Sequence, residues 1–136
     1  MNGRHGDPQA RRVLVVDDEQ DVRDLVTIWL IDDPRCAAVT EASDLDAALQ
    51  AVHVESFDVV LLDFYLGARV CVEVLPDIRR ALPDALIVVY TASRRAAADA
   101  GVTAAGADLV LEKATIAIDD VIDMLLTAAR GETRTG

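Results

Sequence analysis

The chain has 136 residues, and 52% of them are hydrophobic; that suits a single domain with a real core and excludes global disorder. A formal net charge of −11 excludes general nucleic-acid binding, which needs a basic surface, and favours a partner that is basic where it meets this chain. No apolar run approaches the ~18 residues of a membrane span and the polar start lacks a signal-peptide core, so no membrane contact and a cytoplasmic location are expected.

Residues 1–11 read as a flexible lead-in. The apolar run Val13-Leu14-Val15-Val16 ends in Asp17-Asp18 and predicts a first strand over 13–17. A helix over 19–31 follows, with Val22, Leu25, Val26 and Trp29 at i, i+3, i+4 and i+7, which assigns Trp29 to the core. Pro34 marks the exit turn. A weaker second strand spans 36–42, and Ser43 with Asp46 resembles a capping box opening a second helix, whose apolar stripe is Leu45, Ala48, Leu49 and Val52. The third strand covers 58–63 and ends in Asp63. The third helix spans 70–82 and stops at Pro83. The fourth strand covers 85–91 and ends in Thr91. An alanine-rich fourth helix over 94–105 has little bulk to bury, and Gly101 inside it costs ~1 kcal/mol against Ala. The fifth strand covers 108–112 and runs into Lys113. The last helix spans 116–129, with Val121, Ile122, Leu125, Leu126 and Ala129 on one side, and ends at Gly131. Residues 131–136 are a tail. Cys36 and Cys71 have no metal or redox spacing and read as buried reduced thiols.

Short apolar runs alternating with helices read as buried parallel strands. The predicted class is α/β: a doubly wound, flavodoxin-like sheet of five parallel strands in the order 2-1-3-4-5, with helices on both faces, over residues 12–130. This order puts the two weaker strands at the edges.

Functional sites of such sheets lie at the carboxyl ends of the strands. One edge therefore gathers Asp17, Asp18, Asp63, Thr91 and Lys113. Like charges held a few ångströms apart raise one another's pKa unless a cation intervenes. Carboxylates without nearby His or Cys favour Mg²⁺ as that cation. Lys113 is the only lysine beside twelve arginines and supplies a compact point charge. The Thr91 hydroxyl and the Ala92 N–H can donate to a phosphoryl oxygen. Asp63, on the central strand, is the natural nucleophile for an acyl phosphate, and Asp17 and Asp18 are the natural metal holders.

At Val-Val-Asp17-Asp18-Glu19, Leu-Leu-Asp63, Tyr90-Thr91-Ala92 and Glu112-Lys113 the chain resembles the receiver domain of two-component response regulators, over about residues 12–129. The resemblance implies a phosphoryl-accepting switch, not a separate enzyme, with Asp63 as phosphoacceptor. It implies Mg²⁺ on Asp18, Asp63 and the backbone carbonyl of Tyr65, with Asp17 acting through water. Thr91, Ala92 and Lys113 would hold the phosphate, and Tyr65 and Ser93 would tune the reaction. The implied partners are a sensor histidine kinase or phosphotransfer protein and a downstream protein; a homodimer is compatible. With no output domain in 136 residues, output runs through protein contacts, or else the chain is a fragment of a longer regulator.

Four features depart from that family's pattern. Ala114 stands where a cis proline usually follows the lysine, so the loop is either strained or differently shaped. Val110 replaces the aromatic that usually switches with Thr91. The loop after Asp63 has Gly67, then Val70-Cys71, in place of Pro and Asp-Gly, so the entry to the third helix should differ and the loop be more mobile. Tyr65 is bulky at a position that tunes access of water to the acyl phosphate. Two other readings compete. One is an interaction module that keeps the fold without regulated phosphorylation. The other is a phosphohydrolase of the haloacid-dehalogenase type, disfavoured because Tyr65 stands where its acid Asp belongs.

Overall fold

The computed structural model describes residues 9–129. Five parallel strands form one sheet: β1 (Arg11–Val16), β2 (Cys36–Ala42), β3 (Val59–Asp63), β6 (Leu86–Thr91) and β7 (Leu109–Glu112). Their spatial order is β2-β1-β3-β6-β7, the predicted order once a short two-stranded hairpin, β4 (Tyr65–Leu66) and β5 (Arg69–Val70), is set aside. Every residue of β3 is buried, as expected for a central strand covered on both faces.

Alternation along the strands divides the core in two. Val13, Val15, Val59, Leu61, Leu86, Val88 and Tyr90 face α1 (Gln20–Ile31) and α6 (Ile118–Thr127). Leu14, Val16, Val60, Leu62, Ile87 and Val89 face α2 (Leu45–Val54), α3 (Leu75–Ala81), α4 (Arg94–Asp99) and α5 (Val102–Ala105). Cys36 and Cys71 are both buried, as expected.

Several elements differ from expectation. Arg11, assigned to the lead-in, belongs to β1, and its guanidinium donates to the carbonyls of Leu125 and Ala128 at the end of α6. Residues 1–8 and 131–136, the rest of the lead-in and the tail, lie outside the described residues, as does Gly131. Trp29 is not core: it is 42% exposed, and Leu25, Ile28 and Ile31 are exposed with it. The face that α1 buries carries Val26 and Leu30, with Val22 packed at its edge. The helix is apolar around much of its circumference, so periodicity allowed two stripes, and the sheet selected the one at i, i+4, i+8. The second helix is capped by Asp44, whose carboxylate accepts the Ala47 N–H, rather than by Ser43.

The third helix is shorter than predicted. Residues 65–70 form the hairpin, 71–73 a 3₁₀ turn, and α3 starts only at Leu75. The fourth helix is broken at Gly101, whose left-handed conformation (φ 77°) starts a new helical turn. The last helix is trimmed to 118–127.

The edge of the sheet remote from the site is fastened by Arg79. Its guanidinium donates to the carbonyls of Leu82, Ala85 and Gly106 and pairs with Asp108 at 2.7 Å. The Asp108 carboxylate, fully buried, also accepts the Ile87 N–H. Removing one partner of a buried pair leaves the other uncompensated, at a cost of roughly 3–5 kcal/mol. Asp108→Ala should therefore lower unfolding stability by about 3 kcal/mol in denaturant titration, whereas Trp29→Ala, on an exposed face, should stay within about 1 kcal/mol. Equal losses for the two would contradict this assignment of core and surface.

Candidate phosphoacceptor and metal site

The site forms where β1, β3, β6 and β7 end. Asp17 follows β1 directly and is 2% exposed. Its Oδ1 accepts the Glu19 N–H at 2.9 Å, a local turn that aims the other oxygen at the site, and Arg23 holds its backbone carbonyl at 2.6 Å. Asp18 is exposed, and its Oδ2 accepts the Gly67 N–H at 3.0 Å. Asp63 ends β3 and is 8% exposed. Carboxylate oxygens of the three lie within 4.8 Å of one another.

Lys113 reaches back over this group. Its Nζ stands 3.3 Å from Asp17 Oδ2 and 3.4 Å from Asp63 Oδ1. Its backbone N–H donates to the Thr91 carbonyl at 2.8 Å, and its ammonium lies 5.3 Å from the centre of the Tyr90 ring. No cis peptide bond occurs among the described residues, so Lys113-Ala114 is trans and the loop is shaped differently from the proline-bearing pattern. Thr115 closes that loop by donating to the Glu112 carbonyl from both its N–H and its hydroxyl.

Thr91 is buried at the end of β6, but its hydroxyl is engaged in a local turn, donating to the Ser93 carbonyl and accepting the Ser93 N–H. Ala92 is exposed beside it. The Ser93 hydroxyl accepts the Ala96 N–H and so caps α4. Tyr65 is 54% exposed and stands edge-on to Phe64, with ring centres 4.7 Å apart. Val110, in place of the usual aromatic, packs against the core on the α3–α5 side.

The electrostatics follow from burial. Burial and then the nearby Asp17 carboxylate raise the Asp63 pKa to about 7, against the partial relief given by Lys113. Burial works against the Lys113 ammonium, but Asp63 and Asp17 outweigh it and hold its pKa above the usual lysine value. Burial, with the Asp63 charge behind it, pushes the Cys71 thiol up to about 12, which keeps it neutral. Three oxygen donors around a region already short of positive charge, with no imidazole or thiolate among them, fit a hard divalent ion.

Tyr90 and the Gly67 N–H escaped the sequence reading. A strand tyrosine reads simply as a good strand former. The dipeptide Gly67-Ala68 between Tyr65-Leu66 and Arg69-Val70 was the available signal for the hairpin, since glycine at the first central position suits a tight two-residue turn.

Because folding raises the Asp63 pKa, the metal-free native state holds a proton that the unfolded chain has released between about pH 3.8 and 7. Stability should therefore fall as pH rises through that window. Thermal midpoints in chelator should show this fall for the wild type and a flatter profile for Asp63→Asn; identical profiles would contradict the burial of an ionisable carboxylate here.

The profile of the response regulator receiver domain family matches residues 13–126. A response regulator from Burkholderia pseudomallei, solved with a phosphorylated aspartic acid, calcium ion and citrate, superposes with a TM-score of 0.74 at 27% identity, covering 87% of this chain and 67% of that one. The response regulator TrrA from Thermotoga maritima, in complex with Mg²⁺-BeF, gives 0.70 at 28% identity, covering 83% and 94%. A protein-glutamate methylesterase/protein-glutamine glutaminase of Rhodospirillum centenum is 29% identical over 111 residues, 82% of this chain but 26% of that protein. A second such protein, from Rhizobium etli, is 35% identical over 86 residues. The chain thus spans about a quarter of the length of these curated relatives (26% and 25%). With the five-stranded order and the acidic edge already in place, the match over nearly the whole described region places the chain in the response regulator receiver domain family of two-component signalling.

Proposed function

We propose that this domain takes a phosphoryl group onto Asp63 from a histidine kinase or phosphotransfer protein and passes the signal on through protein contacts. The observation that carries this reading is Lys113 Nζ standing 3.3 and 3.4 Å from two of three clustered carboxylates. Phosphorylation and Mg²⁺ binding are typical of the family, and the two solved relatives hold a phosphorylated aspartate and Mg²⁺-BeF respectively.

Asp18, Asp63 and the Tyr65 carbonyl are the proposed metal ligands, with Asp17 acting through water. A bound Mg²⁺ would neutralise charge on the carboxylates and on the incoming phosphoryl oxygens. The Asp63 carboxylate attacks phosphorus in line. A carboxyl O–P bond forms while the donor's N–P bond breaks, and the electron pair leaves with the imidazole nitrogen. Lys113 turns from its carboxylate partners toward the new phosphoryl oxygens. Thr91 leaves its turn with Ser93 to donate its hydroxyl, and the Ala92 N–H adds a second donor. Because Thr91 and Ser93 share that turn and Ser93 caps α4, the movement reaches the 94–105 segment, which is already broken at Gly101. That segment is the proposed output surface. Val110 beside it means the switch runs without the usual aromatic. Such a domain is a signalling component rather than a turnover enzyme, and its proposed place is the cytoplasm with its kinase; no helix among the described residues is long and apolar enough to cross a membrane.

Incubation with Mg²⁺ and a small-molecule phosphodonor should add one phosphoryl mass to the intact protein and none to Asp63→Ala. No addition to the wild type would favour the alternative, an interaction module without regulated phosphorylation, which Val110 and Ala114 support. Tyr65, exposed beside Phe64, shields the acyl phosphate from water in this account. Tyr65→Asn should shorten the phosphorylated lifetime, and an unchanged lifetime would remove Tyr65 from that role.

A further inference from the structure

The loop after Asp63 is a built element. Leu66 pairs with Arg69 and Tyr65 with Val70, leaving Gly67-Ala68 as a two-residue turn. Gly67 has φ 63° and Ala68 does not share the positive φ, the pattern of a turn with glycine at its first central position. The base of the hairpin is closed by the Cys71 N–H donating to the Phe64 carbonyl at 2.8 Å. Its second strand is fastened by Arg69, which pairs with Asp46 in the first turn of α2 at 3.2 Å and with Glu73 at 3.1 Å; Glu73 also accepts the Val70 N–H. An isolated two-stranded hairpin is marginal in water; here buried Leu66 anchors the first strand in the core and Arg69 fastens the second.

The tip of the hairpin points into the acidic edge. The Gly67 N–H donates to Asp18 Oδ2 at 3.0 Å, and Asp18 is the exposed member of the carboxylate trio. Neither Asp17 nor Asp63 receives a bond from this loop: Asp17 is held by Glu19 and Lys113, and Asp63 by Lys113. A proline at position 67 would have neither the N–H nor a positive φ. The chain's departure from the family pattern in this loop therefore adds a donor to a proposed metal ligand.

We infer that the Gly67 N–H, presented by the 65–70 hairpin and held in place by Arg69, is a positioning group that fixes the Asp18 carboxylate for divalent-ion binding. With Oδ2 anchored, Asp18 keeps one orientation and its second oxygen is left for the ion. Partners of this kind orient metal-binding carboxylates and strengthen the site. The inference rests on the divalent-ion reading of the acidic edge. It makes the hairpin and the metal site one cooperative unit, so that a contact to Arg69 or to the N-terminus of α2 changes metal affinity from outside the site.

Two measurements test it. Solvent exchange of the Gly67 amide, followed by NMR on the ¹⁵N-labelled full chain, should be slow although the residue is exposed. It should quicken by about tenfold or more in Asp18→Ala and stay slow in Asp18→Asn, whose side-chain carbonyl still accepts while its charge is lost. Calorimetric titration with Mg²⁺ should show Arg69→Ala binding about two- to fivefold more weakly than wild type, the scale of exposed ion pairs, with partial recovery in Arg69→Lys. Equal exchange in the wild type and Asp18→Ala, or equal Mg²⁺ affinity in the wild type and Arg69→Ala, would overturn the inference while leaving the metal site standing. A wild type that takes up no Mg²⁺ would overturn the metal reading and this inference with it.

Discussion

Three carboxylates brought to one edge of a sheet repel one another, and the arrangement of that edge answers the repulsion. Lys113 bridges Asp17 and Asp63, yet burial and the neighbouring charge still raise the Asp63 pKa to about 7. The site is therefore short of positive charge by construction. Such a site gains most from a divalent ion and from a reaction that proceeds only when that ion is present. This is the charge balance that the proposed aspartyl phosphoacceptor calls for: Asp63 is held in a state that a bound divalent ion would improve.

The rest of the fold keeps that shortage in place. Buried parallel strands fix Asp17 and Asp63 at the ends of adjacent strands, with β1 and β3 paired in register from Val13–Val59 to Val16–Leu62. The remote edge is locked by Arg79 and Asp108, in contrast to the acidic end of the sheet. There the elements are short and lightly anchored. α4 buries only Ala97, α5 only Val102, and the hairpin buries Leu66 and is otherwise held by backbone bonds and exposed ion pairs. A rigid sheet and a soft rim are what a switch needs, because a local charge change can repack the rim without unfolding the core.

The sheet was legible in the sequence because both of its faces are buried, which turns β1, β3 and β6 into continuous apolar runs that end in the site residues. Strand order followed from the weakness of the edge strands. The direction of Trp29 was not legible, since α1 carries apolar residues on more than one face and only packing against the sheet chooses among them. The 65–70 hairpin has strands two residues long, too short for periodicity to register, and its outward residues hide the bond to Asp18. The break at Gly101 was visible only as an unfavourable residue, because a helix tolerates one glycine until tertiary contacts favour the left-handed alternative. Tyr90 under Lys113 depends on β6 and β7 lying side by side, a relation between segments that no single run displays.

The central claim is that these carboxylates surround one cation at one place. Mn²⁺ prefers the same hard oxygen donors as Mg²⁺ and broadens the NMR signals of nuclei close to it. Adding substoichiometric Mn²⁺ to the ¹⁵N-labelled protein should erase the amide signals around positions 17, 18, 63–67 and 113 while leaving the Trp29 indole sharp. Uniform broadening, or loss of signals centred on another acidic region such as Asp32-Asp33, would contradict the account.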